Sequence, residues 1–230
     1  MLLATVIAVM IVTNVALTVL PVRWHLAVCV LASMVLLALA WLDGLSAEDV
    51  GLGATTIPAG AAWAAVIVVV VAAGYAVATA VPLTRAAFAD RRATEASGRS
   101  VTVRLLVTLP FGTVLMEETA FRGVLFGMWS ARYGSTWAIV GTSALFGLWH
   151  VVSAPAMHES HDTVGGVVGH GRRGLVLTTL ATLVFTALGG VVFALLRLWS
   201  NSLLPPMGLH WALNGGGLMV AWWLARSRLD

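Results

Sequence analysis

The chain contains no lysine. Its thirteen basic residues are all arginine, and ten acidic residues bring the formal net charge to +3. Charged residues make up 10% of the 230 positions and hydrophobic ones 60%, against about 25% and about 45–50% in an ordinary soluble domain. That balance excludes a soluble globular protein. The arginines stand between apolar runs, so the positive charge points to membrane topology and not to nucleic acid. A single cysteine, Cys29, excludes an intrachain disulfide and reads as a small buried hydrophobe. There is no Walker loop, no Gly-x-Ser-x-Gly turn and no His-Glu-x-x-His helix, and no internal repeat of the kind transporters often show. No basic stretch precedes the apolar N-terminus, so residues 2–20 read as a retained span and not as a cleavable signal.

What is present is apolar length. Runs of about 20 residues, enough to cross a bilayer, fall near 2–20, 24–42, 59–81, 104–128, 136–154, 174–196 and 203–225. The sequence therefore predicts an all-α, polytopic membrane bundle of about seven helices, one transmembrane domain over 1–230. With the N-terminus outside, Arg23, Arg85, Arg91, Arg92, Arg99, Arg104, Arg172, Arg173, Arg226 and Arg228 lie on the cytoplasmic side. Only Arg132 and Arg197 lie outside, with the acidic loop of Asp43, Glu48 and Asp49. That asymmetry predicts N-out, C-in in the cell membrane. Trp24, Trp41, Trp129, Trp137, Trp199, Trp222 and Trp223 sit near span ends, as interfacial anchors do. Residues 86–96 suit either a short helix on the membrane surface or a plain connector. The 155–173 loop, with His158, His161 and His170 among glycines, reads as a mobile loop. The alanine, valine and arginine bias hints at a bacterial source.

Ionisable residues inside spans are costly, about 2.5–3.5 kcal/mol each on insertion scales, and mark functional sites by default. Glu117, Glu118 and Arg122 lie in the fourth apolar run. On a helix Glu118 and Arg122 share a face and can pair, while Glu117 is turned about 100° from its neighbour. One carboxylate is thus neutralised and one is free for chemistry; read as structure alone, the three form a buried ion-pair network that fixes register. Phe146 and His150, then His210 and Asn214, repeat the i, i+4 spacing on two later runs. Glutamate with two histidines suits a general base beside a water, and is equally the ligand set of a catalytic zinc. Glu117, His150 and His210 are accordingly candidate metal ligands. His25 falls at a predicted interface, with no chemical role expected. On the predicted spans Glu117 lies about 20 Å into the fourth and His150 about 6 Å from the inner end of the fifth, so the two meet only if the helices are offset or tilted, or if Pro110 restarts the fourth.

Glu-Glu-x-x-x-Arg, Phe-x-x-x-His and His-x-x-x-Asn, in that order over residues 104–225, resemble the CPBP (Abi) family of intramembrane proteases. That group includes CAAX prenyl endopeptidases and bacterial proteins linked to bacteriocin self-immunity. The resemblance implies an endopeptidase acting on a membrane-anchored peptide or protein. It implies that Glu117 is the catalytic glutamate, supported by Glu118 and Arg122. It implies that His150 helps hold the attacking water and that His210 and Asn214 line the site and stabilise the oxyanion. Both a metal-dependent and a metal-free glutamate mechanism are consistent with the family. The competing readings are a non-enzymatic immunity or partner-binding protein and a small transporter using the carboxylates as a proton relay.

Overall fold

The computed structural model describes residues 2–85, 88, 96–153, 155, 169 and 171–227. Most of the expected surface segment 86–96 and the loop histidines His158, His161 and His170 lie outside the described residues. The described residues form seven long helices and no strands. These are α1 (Leu2–Val19), α2 (His25–Leu42), α3 (Ile57–Ala80), α4 (Gly98–Tyr133), α5 (Ser135–Trp149), α6 (Arg172–Ser200) and α7 (Leu204–Arg226). The first six are long and apolar enough to cross a membrane. The seventh falls outside that set; it carries two prolines, four glycines, His210 and Asn214.

Helix α4 is the axis of the bundle. Residues 116–128 are all buried, the pattern of a helix enclosed on every side. It is also longer than the expected span and irregular. Arg104–Val114 and Thr119–Leu125 are wound as π-helix, leaving Leu115–Glu118 as a short α-helical piece between them. Wide i→i+5 turns commonly mark functional positions. The first of them contains Pro110, which has no N–H to give to an α-helical ladder.

Around this axis the other helices bury narrow stripes. Helix α1 buries Val6, Met10 and Thr13, and α2 buries Cys29, Ala32, Ser33, Leu36 and Ala40, each at helical spacing. Their remaining apolar side chains, such as Val12, Val19 and Leu31, face outward, as expected where lipid is the solvent. Close helix pairs rest on small residues. A Cβ on Gly147 of α5 would lie 2.7 Å from the Leu183 carbonyl of α6, and one on Gly190 of α6 would lie 3.0 Å from Cα of Ser143. Tyr75 of α3 donates its hydroxyl to the Leu213 carbonyl of α7 at 2.7 Å.

The loop from Asp43 to Gly53 ties one end of the bundle together. Arg132 donates to both carboxylate oxygens of Asp43 at 2.7 and 2.6 Å. Arg197 donates to the carbonyls of Glu48 and Asp49 at 3.1 and 2.8 Å. The Ser46 N–H and hydroxyl hold the Asp49 carboxyl below its usual range. The two arginines that the sequence sets apart from the rest therefore share this end with the acidic loop.

Gly134, with φ of +81°, turns the chain from α4 into α5. Only glycine enters that conformation at no steric cost. Glu117 lies seventeen residues before it and His150 sixteen after it, so the antiparallel pair carries both to the same level. The depth mismatch expected from the sequence was counted from inner helix ends taken as level; α4 reaches back to Gly98 while α5 stops at Trp149 and continues only as a 3₁₀ turn over His150–Ser153, so those ends are offset and the two residues meet.

Candidate active site

Glu117 and Glu118 sit on the regular piece of α4, 6% and 0% exposed. Their side chains meet His210 from two directions. Nδ1 of His210 is 2.7 Å from Oε1 of Glu118, and its Nε2 is 3.8 Å from Oε2 of Glu117. Nε2 of His150 is also 3.8 Å from that Oε2. Three helices thus direct one carboxylate oxygen and two imidazole nitrogens at one point.

The hydrogen bonds behind the imidazoles set their orientation. Nδ1 of His150 lies 2.8 Å from the Phe146 carbonyl. A carbonyl only accepts, so Nδ1 carries the proton and Nε2 faces Glu117 with its lone pair when the ring is neutral. Nδ1 of His210 donates to a carboxylate. Phe193 stacks on His210 at 5.3 Å, and Phe146 meets His150 edge-on at 4.5 Å, so both rings are held from the side as well.

Arg122 is fully buried and supports Glu118 from below. Its Nη1 is 3.3 Å from Oε1 of Glu118, and its Nη2 donates to the Gly190 carbonyl at 3.3 Å. The guanidinium carbon lies 4.0 Å from the Phe146 ring centre and 4.8 Å from that of Phe193. This is the cation–π environment that suits a planar, weakly hydrated cation.

Oε1 of Glu117 accepts a hydrogen bond from the indole N–H of Trp149 at 3.1 Å. Oε2 is buried without a hydrogen-bond partner among the described residues. Glu117, Trp149 and His150 open onto a cavity of about 320 Å³ whose far wall is Asn14, Leu17 and Thr18 of α1. A mostly apolar groove of about 350 Å³ between α1 and α5 adjoins it and shares Asn14, Trp149 and Val152.

Glu117, Glu118, Arg122, His150 and His210 are thereby brought together. Asn214 stands one turn beyond His210 on α7, exposed, and makes no hydrogen bond to the cluster among the described residues. His25 is half-buried and pairs with the Leu20 carbonyl at 3.0 Å, away from the cluster. The reading of the sequence passes over Trp149 and Asn14. An N–H donor next to a candidate histidine, and an asparagine inside an otherwise apolar run, were the available signals.

The donor types suit a divalent metal, and both candidate histidines have the outer-shell hydrogen bonds that metal ligands usually have. Among the described residues no group of three or more His, Cys, Asp or Glu side chains is arranged to hold one. The 3.8 Å separations put Oε2 of Glu117 within reach of a water or an ion shared with each imidazole.

Residues 99–216 match the family described as type II CAAX prenyl endopeptidase Rce1-like. The chain belongs to this family. The matched stretch runs from the start of α4 to the middle of α7 and contains every member of the cluster, so the Rce1-like assignment and the geometry fall on the same residues. It makes the protein a multi-pass membrane endopeptidase of the CAAX type. No curated protein and no solved structure matches the chain.

Proposed function

We propose that this Rce1-like protein hydrolyses a peptide bond of a membrane-anchored peptide or protein with a water activated by Glu117. The observation that carries the reading is the buried Oε2 of Glu117, without a hydrogen-bond partner among the described residues, between two imidazole Nε2 atoms at equal distance. Oε2 takes one proton from the water while Nε2 of His150 accepts a hydrogen bond from the other. The resulting hydroxide attacks the scissile carbonyl. Its carbon becomes tetrahedral and its oxygen negative. Glu117 then gives the proton to the departing amide nitrogen, the C–N bond breaks, and the products are a carboxyl group and an amine.

The oxyanion requires a donor. His210 supplies one as an imidazolium, with Nδ1–H on Glu118 and Nε2–H on the side of Glu117. Glu118, anchored by Arg122, balances that charge: two carboxylates face one guanidinium and one imidazolium. Asn214, exposed one turn beyond His210 on α7, is outside the cluster and is given no step in the reaction. The cytoplasmic side is assigned to the end of the bundle that carries Arg23, Arg85, Arg99 and Arg104.

The test is cleavage by the purified full chain of an internally quenched, S-farnesylated CAAX peptide and of a pool of membrane-anchored peptides without the prenyl group. Glu117→Gln keeps size and hydrogen bonding and loses basicity. Activity should fall by about 10²–10⁴, with expression and Tm near wild type. A fully active Glu117→Gln protein would leave the chain as a binding or immunity factor. Metal analysis of the same preparation distinguishes the water mechanism from one using an ion held by Glu117, His150 and His210.

A further inference from the structure

We propose that Trp149 is a positioning residue for Glu117, and that Asn14 of α1 holds Trp149 in place. The inference rests on the reading of Glu117 as the base. A carboxylate has two equivalent oxygens and a side chain with several rotatable bonds. The indole N–H of Trp149, 3.1 Å from Oε1, occupies one oxygen and leaves only Oε2 facing the two imidazoles. Fixing that plane before the reaction replaces an entropy loss otherwise taken during it.

Trp149 is itself held at two points. Phe121 of α4 meets its ring edge-on at 5.8 Å. Its carbonyl stands where α5 tightens into the 3₁₀ turn, and a carbonyl oxygen has a second lone pair to offer there. Nδ2 of Asn14 donates to it at 3.1 Å. A hydrogen-bonded line thus runs from α1 through the end of α5 to the base on α4. Asn14 lies far outside the 99–216 stretch that defines the family.

The experiment compares wild type, Glu117→Gln, Trp149→Phe and Asn14→Leu as full chains on the peptides named above. Trp149→Phe keeps an aromatic ring against Phe121 and removes the N–H. It should lower kcat about tenfold, the scale of one lost hydrogen bond to a charged group, with KM within about twofold, the signature of an interaction felt in the transition state. Asn14→Leu should lower kcat in the same way by a smaller factor. If Glu117→Gln cleaves like wild type, or wild type cleaves no peptide, the proposed function falls and this inference with it. If Glu117→Gln is inert while Trp149→Phe keeps wild-type kcat, or raises KM alone, only the inference is overturned. Should Trp149→Phe fail to fold, benzothienylalanine at position 149, which keeps the two-ring shape without an N–H, carries the same expectations.

Discussion

Glu118 accepts a hydrogen bond from Nδ1 of His210 at 2.7 Å, across 92 residues of chain. The same oxygen is 3.3 Å from Arg122. The second glutamate is therefore the link between the arginine below the site and the imidazole in it. Glu118→Gln keeps an acceptor for Nδ1 but removes the charge that supports an imidazolium. Peptide cleavage should fall by about 10²–10³, the usual loss for an oxyanion donor. Steady-state rates with KM held in view check this; an amide variant at wild-type kcat would remove His210 from the role of charged donor.

Arg122 is a fully buried charge. Both it and Glu118 have fully buried side chains. Arg122→Ala strands that carboxylate, a loss of about 3–5 kcal/mol for one partner of a buried pair. We expect a large drop in Tm together with lost activity. Arg122→Lys retains the charge without the flat fork between Phe146 and Phe193, and should fall between the two. Thermal unfolding in detergent resolves the series, and an alanine variant as stable as wild type contradicts the assignment.

Much of this site was legible in the sequence, and the reason is geometric. Glu118 with Arg122 and Phe146 with His150 are i, i+4 pairs, and helical spacing alone places each pair on one face. The polarity of Glu117 and His210 in apolar runs marked them as well. The reading was less successful where helices depart from regularity. The π-helical stretches on α4, the early end of α5 at Trp149 and the turn at Gly134 set the relative depth of Glu117 and His150. None of these shows in a 3.6-residue periodicity. Trp149 and Asn14 acquire their contacts from where α5 stops and which helix lies beside it, which is a tertiary matter. Asn214, grouped with the other site residues from its spacing, is a turn away from them and exposed.

The end of the bundle bearing the 43–53 loop is expected outside the cell and the end bearing residues 98–104 inside. Cys29 is buried, so background thiol labelling is low. Glu48→Cys should react with a membrane-impermeant maleimide in intact cells, and Ser100→Cys only after permeabilisation. The opposite pattern would reverse the N-out orientation.

Val6, Met10 and Leu36, from the first two helices, belong to the same packed cluster as Met116, Phe121 and Phe146. The segment that defines the family and the segment ahead of it are thus not separable modules. Residues 99–216 expressed alone would present the wall of their carboxylate cavity to lipid. Over evolutionary time the inward stripes of α1 and α2 have to change in step with α4 and α5, even where their outward faces drift freely. Chimeras that exchange the first two helices between members of the family would expose that shared history.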